Sequence, residues 1–247
     1  MINGIQDRID RRFRRLAAEA EQGLTLVELL VAIMLLGLLL IVVGGAFSTI
    51  SKTVTLATNT NQNVAFSSLG MSEMSKVLRF ATTNPVLNQP IDSSAFVSAN
   101  KETLTVYSYV DANATTPTPT EVTFSLDSSR RLVETRYASY SVATGFYAFR
   151  TTPYLTRILT GIVLAPTATQ LSLFTYLDAS GNALPPGTSG LTTAASGSTP
   201  SQVSQVAAVE VTLKIKGNTT NGASPIVMQN TVGLPNLGLS RTGQDVP

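Results

Sequence analysis

The sequence predicts an α+β protein in which a long N-terminal helix precedes a head built on a mostly antiparallel β-sheet. Three observations support this fold class. Residues 24–47 form an apolar run in which Glu28 is the only charged residue. Residues 48–84 continue with apolar side chains at helical spacing. From residue 102 onward, apolar and polar side chains alternate in short segments that are typical of β-strands.

A basic segment precedes the apolar run. It contains five arginines, which are Arg8, Arg11, Arg12, Arg14 and Arg15. Basic residues that flank a membrane span stay on the cytoplasmic side, so we expect a single-pass protein with a cytoplasmic N-terminus and an extracytoplasmic head. The alternative is that these arginines bind nucleic acid. The formal net charge of +2 is too small to favour that interaction, so no nucleic-acid partner is expected.

The apolar run is long enough to cross a lipid bilayer. From Leu29 to Phe47 it contains no charged residue, and with residues 24–27 it reaches about 30 Å as a helix, the thickness of the hydrocarbon core. A secretory signal peptide has a shorter apolar core. Three glycines, Gly37, Gly44 and Gly45, weaken the helix or let it pack closely against another one.

A carboxylate at Glu28 requires an explanation, because an ionised carboxylate in lipid is costly unless it is paired or stays at the interface. One interpretation places Glu28 at the cytoplasmic headgroup level, with the span beginning at Leu29. The other gives it a cationic partner. Cutting the chain after Gly23 would create a new α-amino group at Leu24, and the carboxylate would pair with such an amine in its own chain or in a neighbour.

The stretch "GLTLVELLVAI" resembles the prepilin signature of type IV pilins and type II secretion pseudopilins. In that pattern a glycine, a hydrophobic residue and Thr-Leu-Val/Ile-Glu run into an uninterrupted apolar helix. Gly23 and residues 25–28 match it position by position, and Leu24 stands where phenylalanine is commoner. The resemblance rests on the coincidence of the glycine, the glutamate, the basic leader and the following span.

The resemblance implies a pilin-like fold and a set of partners. It implies cleavage after Gly23 and N-methylation of Leu24 by a prepilin peptidase. It also implies that Glu28 pairs with the methylated terminus of an adjacent pilin or pseudopilin subunit, with Thr25 supporting the first helical turn. A membrane assembly platform would move the subunit from the bilayer into a pilus or pseudopilus at the cell surface. In similar proteins the helix region that corresponds to the glycines loosens on assembly.

The later part of the chain resembles the J-type minor pseudopilin and its counterparts among minor pilins. The similarity lies in "TRILTGIVLAP", in a strand that ends "FTYLDASGNAL", and in "VEVTLKIKG". The size of the chain and its irregular loops favour a minor, tip or priming subunit over an abundant shaft subunit.

The predicted organisation has five parts. They are a basic leader that is removed (1–23), a membrane and assembly helix (24–47), an amphipathic continuation of the helix (48–84), a β-rich extracytoplasmic head (85–233) and a loose tail (234–247). Within the head, residues 183–205 form a low-complexity loop.

The amphipathic part of the helix has an apolar face. That face contains Val64, Met71, Met74 and Leu78, with a further apolar edge at Leu69, Val77 and Ala81. Glu73, Lys76 and Arg79 are expected mostly on other faces. Residues 53–63 are rich in Thr and Asn and permit a bend, and Asn84-Pro85 ends the helix.

Strands are expected at 102–110, 120–126, 132–137, 169–177 and 206–217. The last alternates most cleanly, with apolar residues at 209, 211, 213 and 215 facing inward.

Several residues of the head are candidates for binding. Asp178 and Asn182 are candidate calcium ligands, but a calcium site needs more oxygen ligands, so a turn is favoured and no metal site is expected. Arg130, Arg131 and Arg136 would suit DNA or another anionic surface, although a solvated strand face is the commoner role.

Two further patterns carry less specific signals. The aromatic run at 137–149 suits a sheet core better than a subunit contact. Asn113 and Asn218 match the glycosylation sequon.

The chain has no cysteine and no histidine, which removes thiolate nucleophiles and the commonest general base. No nucleophile–base pair or phosphate loop is present, so neither enzymatic activity nor a cofactor is expected. Two alternatives to a structural subunit stay open. One is a DNA-uptake or adhesion pilin whose head binds a ligand, and the other is a surface protein or enzyme on an uncleaved signal anchor.

Overall fold

A computed structural model describes residues 25–87, 93–110, 115, 117–166, 172–193, 201–217 and 225–237. It confirms the predicted fold class, an α+β arrangement in which a long N-terminal helix precedes and packs on antiparallel sheets, as expected for a pilin-like fold. The chain divides into two compact units, one up to Thr55 and the other from Leu56 onward.

Helix α1 spans Leu26–Arg79. It stays continuous through the Thr- and Asn-rich residues 53–63, where threonine side chains such as Thr53 and Thr55 donate hydrogen bonds to carbonyls one turn earlier. The helix ends before the predicted stop at Asn84. The reason is that Ala81 and Asn84 already pair as β-bridges with Ser108 and Ser93.

The described residues contain ten strands, which form two antiparallel sheets. Their bounds are β1 Phe96–Ala99, β2 Leu104–Ser108, β3 Thr120–Leu126, β4 Arg131–Ala143, β5 Phe146–Phe149, β6 Leu155–Ile162, β7 Phe174–Leu177, β8 Ala183–Leu184, β9 Ala208–Ile215 and β10 Ile226–Gly233. In the first sheet the order is β1-β2-β3-β4-β5, and β6 pairs with the first half of β4. The second sheet has the order β10-β9-β7-β8, and a bridge between Val163 and Ile215 joins the two sheets.

The predicted strands and the observed ones agree best where alternation is regular. β3 has the predicted bounds, and β9 places Val209, Val211, Leu213 and Ile215 in the core as expected. β4 runs to Ala143, beyond the predicted end at 137. β1, β5, β6, β8 and β10 were not predicted, because they are short or carry irregular burial, as in β6, where Leu159 and Thr160 are both buried.

The last part of α1 provides the helical side of the core. Met71, Met74, Val77 and Leu78 are buried against the sheets, and Ala81 follows them. The predicted apolar face extends too far towards the N-terminus, because Val64 is 42% exposed and Leu69 is 56% exposed. Only the last two turns and a half of the helix face the sheets with their apolar residues.

A glycine lets α1 approach β6 closely. A Cβ added to Gly70 would lie 2.6 Å from Cγ2 of Thr160 and 3.5 Å from the Leu159 Cβ. Ser67, one turn earlier, is also fully buried and donates its hydroxyl to the Asn63 carbonyl. The helix therefore uses small residues where it crosses the sheet.

Four charged side chains connect α1 to β4 and β6. Glu134 is fully buried and accepts from Nε of Arg136 and Nε of Arg157, each at 2.6 Å. Glu73 of the helix accepts from Arg136 at 2.5 Å and from Arg157 at 3.0 Å. Two expectations are therefore wrong: Arg136 is not on a solvated strand face, and Glu73 faces the sheet.

The predicted low-complexity loop at 183–205 contributes to the core in its described parts. It contains β8, and Leu191 and Val203 are buried. Gly190 has a φ of +95°, and a Cβ there would lie 2.8 Å from the Ala99 carbonyl oxygen. Only glycine fits this turn, which brings the Leu191 N–H to that same carbonyl.

Candidate membrane and assembly site

Thr25 and Glu28 cap the N-terminus of α1 reciprocally. The backbone N–H of Glu28 donates to Oγ1 of Thr25 at 3.2 Å, and the backbone N–H of Thr25 donates to Oε2 of Glu28 at 3.0 Å. The Thr25 hydroxyl also donates to Oε2 at 3.0 Å. This is a capping box, in which a threonine and a glutamate three residues later satisfy two otherwise unpaired N–H groups.

The cap gives the Glu28 carboxylate a structural role within its own chain. The carboxylate lies at the positive end of the helix dipole, where a negative charge is favourable. All the hydrogen bonds that it accepts from Thr25 go to Oε2. Within the described residues, Oε1 accepts none, so this oxygen is free to receive a donor from outside. The predicted cleavage and methylation positions, Gly23 and Leu24, lie outside the described residues.

The first part of α1 presents an apolar surface that is not covered by the chain. Every large apolar side chain from Leu26 to Phe47 is at least 48% exposed. By length and composition this helix is apolar enough to cross a membrane. Leaving this much apolar surface in water is unfavourable.

The three glycines of this segment leave its surface open. Gly37, Gly44 and Gly45 lie inside the continuous helix, and a Cβ added at any of them would meet no atom within 4 Å. Close approach by a neighbouring helix is therefore sterically free at these positions. Local loosening of the helix remains a second interpretation.

Asp178 and Asn182 form a turn rather than a cation site. Oδ1 of Asp178 accepts from the backbone N–H groups of Ser180 and Asn182, each at 2.8 Å, and Oδ2 accepts from Nδ2 of Asn182 at 3.1 Å. Both carboxylate oxygens are thus used within the β7–β8 hairpin. Among the described residues, no group of three or more acidic, His or Cys side chains could hold a metal ion.

The turn at Asp178 predicts that the stability of the fold depends on pH and does not depend on calcium. Hydrogen bonds from Asn182 hold the pKa of Asp178 below the ordinary value of 3.8. Stability from these bonds is therefore complete above that ordinary pKa and is lost as pH falls through the lower pKa of the folded state. We expect Asp178→Ala to weaken the loss of folding stability that accompanies a fall in pH below the ordinary pKa of Asp178. Adding Ca²⁺ or a chelator at neutral pH should leave the unfolding temperature unchanged, and a calcium-dependent increase would contradict the assignment to a turn.

The other two candidate arginines have internal partners. Nη2 of Arg130 lies 2.6 Å from Glu102, and Nη2 of Arg131 lies 2.8 Å from Asp127. Arg130 adopts a φ of +59°, which is uncommon for a non-glycine residue, and its Nε also donates to the Val163 carbonyl. These contacts explain the arginines without an anionic ligand.

The aromatic run at 137–149 is not a sheet core. Its rings lie in the second half of β4 and in β5, where they are half-buried or exposed, and Tyr140 is 46% exposed. The prediction of a core is wrong, because β4 pairs with β6 only up to Arg136 and its second half pairs with β5 alone on that side. The sequons at Asn113 and Asn218 lie outside the described residues.

Two features of this site were not predicted from the sequence. The first is the reciprocal hydrogen bonding between Thr25 and Glu28, for which the signal was present as threonine followed three residues later by glutamate. The second is the part that Ser180 takes in the predicted turn at Asp178, where its backbone N–H donates to Oδ1 of the carboxylate. No protein-family model matches the chain, and a search of curated proteins finds no significant match.

Proposed function

We propose that this protein is a prepilin-like minor subunit of a type IV pilus or a type II secretion-like pseudopilus. It is processed after Gly23 and assembles through its N-terminal helix. The observation that carries this proposal is the position of Glu28 at the start of an exposed apolar helix, where one oxygen of its carboxylate accepts no hydrogen bond from the described residues.

The proposal gives that carboxylate a partner. Cleavage after Gly23 places the new amine on Leu24, directly before the capping residue Thr25. The amine of a neighbouring subunit would bind Oε1 while Oε2 stays in the cap. In an apolar surrounding such a pair is favourable, because an unpaired buried charge is costly. The same contact fixes the axial register of one helix against the next.

The proposal also assigns a location and a role to the rest of the chain. Before assembly the exposed apolar helix lies in the bilayer, with the N-terminus cytoplasmic and the head outside. A prepilin peptidase, other pilin subunits and a membrane assembly platform are its partners. The head serves assembly and has no catalytic role. Its irregular loops favour a minor subunit.

Intact-mass and N-terminal peptide analysis of the protein from its native membranes tests the proposal. We expect a mature chain that begins at Leu24 and carries one added methyl group on its amine. A chain that still begins at Met1 in cells with an active prepilin peptidase would exclude processing at Gly23. An uncleaved signal anchor would then be the better description.

A Glu28→Gln variant separates the two contacts of the carboxylate. The amide oxygen can still accept the capping hydrogen bonds, but the charge is lost. We expect this variant to be cut after Gly23 and to be lost from the assembled fibre fraction, whereas Thr25→Ser keeps the cap and assembles. Normal assembly of Glu28→Gln would show that the charge of Glu28 is not needed.

A further inference from the structure

Strand β10 forms one edge of the second sheet. It pairs with β9 alone, in an unbroken register over its whole length. Thr212 of β9 is directly opposite Gln229, and the Thr212 backbone N–H donates to the Leu173 carbonyl at 2.9 Å, on the side of β9 that faces away from β10. The alternation of an antiparallel pair therefore turns the N–H and C=O groups of every second residue of β10 outward, at Val227, Gln229, Thr231 and Gly233.

This edge is open and lacks the usual protection against pairing. Within the described residues, the outward backbone groups of β10 form no hydrogen bond, and the four residues that carry them are exposed. Natural edge strands are commonly short, bulged or supplied with lysine or proline. β1, β5 and β8, the other end strands, have four, four and two residues. β10 has eight residues, with no charged residue, no proline and no bulge.

A cavity of about 250 Å³ opens on the outer face of β9, next to this edge. Val227 and Gln229 of β10 line one side of it. Lys214 and Thr212 are directly opposite these two residues, so all four side chains lie on the same face of the sheet. The rest of the lining consists of Glu102, Leu173 and residues 163–166. The cavity is thus mostly apolar, and it has room for one large side chain.

Two polar groups of the lining have no partner in the described part of the chain. The Thr212 hydroxyl is buried and forms no hydrogen bond there. Lys214 is half-buried and forms no ion pair there, since Glu102, the carboxylate of the same lining, binds Arg130 at 2.6 Å. A partly buried ammonium group is stabilised when a carboxylate reaches it. The cavity therefore suits a large apolar side chain that has an acidic side chain next to it.

We propose that β10 accepts an extended segment of a partner protein as an additional β-strand. In strand addition, main-chain hydrogen bonds give affinity, and pockets for alternate side chains give specificity. The segment pairs with the outward groups of Val227, Gln229 and Thr231. Its side chains on the same face bring a large apolar residue to the cavity and a carboxylate towards Lys214. This inference concerns the head alone and does not depend on processing at Gly23.

A second copy of β10 fits this edge less well. If two copies of β10 paired, the side chains offered to the cavity would be Val227, Gln229 or Thr231, whatever the register. None of these is both large and apolar, and none can supply a carboxylate to Lys214. A partner segment with a different sequence is therefore favoured.

Hydrogen exchange of the full-length protein in detergent tests whether the edge is open. We expect the amides of Val227, Gln229 and Thr231 to exchange at least about a hundredfold faster than those of Met228 and Asn230, which face β9. Equal protection of the two sets would show that the edge is already covered and would overturn the proposal.

The palindromic heptapeptide acetyl-TETFTET-amide is the probe for strand addition, because it presents Glu, Phe and Glu on one face in either strand direction. We expect saturable binding by calorimetry and protection of the three outward amides. Replacing the phenylalanine of the peptide with alanine should weaken binding at least about tenfold. Two N-methylated isomers, one methylated at the Thr positions and the other at the Glu and Phe positions, carry their methyl groups on opposite edges of the peptide. We expect only one of the two isomers to bind.

Two variants of the protein locate the contacts. Gln229→Pro removes an N–H that β9 does not use, so the fold should be kept and peptide binding lost. Lys214→Met should weaken binding about fivefold, whereas Lys52→Met, in the first compact unit, should leave it unchanged.

Three outcomes of the peptide measurements would overturn strand addition. They are the absence of saturable binding, equal binding of the two N-methylated isomers, and unchanged binding by Gln229→Pro. Equal binding of the alanine peptide would overturn the role of the cavity. If Gln229→Pro does not fold, the comparison of the two isomers on the unchanged protein still decides.

Discussion

Replacing Gly70 with leucine is expected to destabilise the head by about 3 kcal/mol. The Cβ alone would come within 2.6 Å of Cγ2 of Thr160, and leucine adds three more carbons in the same direction. Thr160 cannot move away freely, because it is only 4% exposed and its hydroxyl donates to the Gly161 carbonyl. Leucine favours a helix over glycine by about 1 kcal/mol, which is too little to offset this overpacking.

Denaturant unfolding of the full chain in detergent, followed by the tyrosine signal of the head, measures this effect. Gly37→Leu is the matched control, because it makes the same change in the same helix where no atom lies within 4 Å. We expect the control to leave the unfolding midpoint of the head unchanged. An unchanged midpoint in Gly70→Leu as well would mean that α1 does not approach β6 as closely as described.

Replacing Glu134 with leucine is expected to cost about 3–5 kcal/mol of folding free energy. Glu134 is fully buried and is the acceptor for both Arg136 and Arg157. Its loss leaves the guanidinium of Arg136, whose side chain is 10% exposed, with Glu73 as its remaining carboxylate partner. A buried charge that loses a partner is strongly unfavourable, and leucine cannot supply a hydrogen-bond acceptor.

A second substitution distinguishes the loss of charge balance from the loss of packing. Glu134→Leu combined with Arg136→Met removes one charge of each sign and leaves Glu73 paired with Arg157 at 3.0 Å. Because apolar replacement of a whole buried pair is often neutral, we expect the double variant to recover at least about 2 kcal/mol in the same unfolding measurement. If the double variant is as unstable as the single one, packing at Glu134 and not its charge carries the stability.

The features that could be predicted were local ones. The span of α1 follows from an apolar run and from spacing within one helix, and the reciprocal cap at Thr25 involves residues three apart. Strand β3 and the inward residues of β9 follow from regular alternation. In each case the partner of a residue, or the period that defines its face, lies within a few positions in the chain.

The errors arose where the partner is remote. Glu73 was expected away from the apolar face of an amphipathic helix. It instead binds Arg136, which lies on a strand 63 positions away in the chain. The run at 137–149 was predicted to be core, but the pairing of β4 changes from β6 to β5 along its length, and the rings are half-buried or exposed.

By itself, the sequence determined the α+β class, the apolar helix and the position of Glu28 at its start, because periodicity, composition and capping act over one or two turns. Only the tertiary structure decided where α1 crosses β6 at Gly70 and how four charges join the helix to the sheet. These contacts join segments that are distant in the chain. Their geometry depends on how the strands pair and curl, which no local pattern encodes.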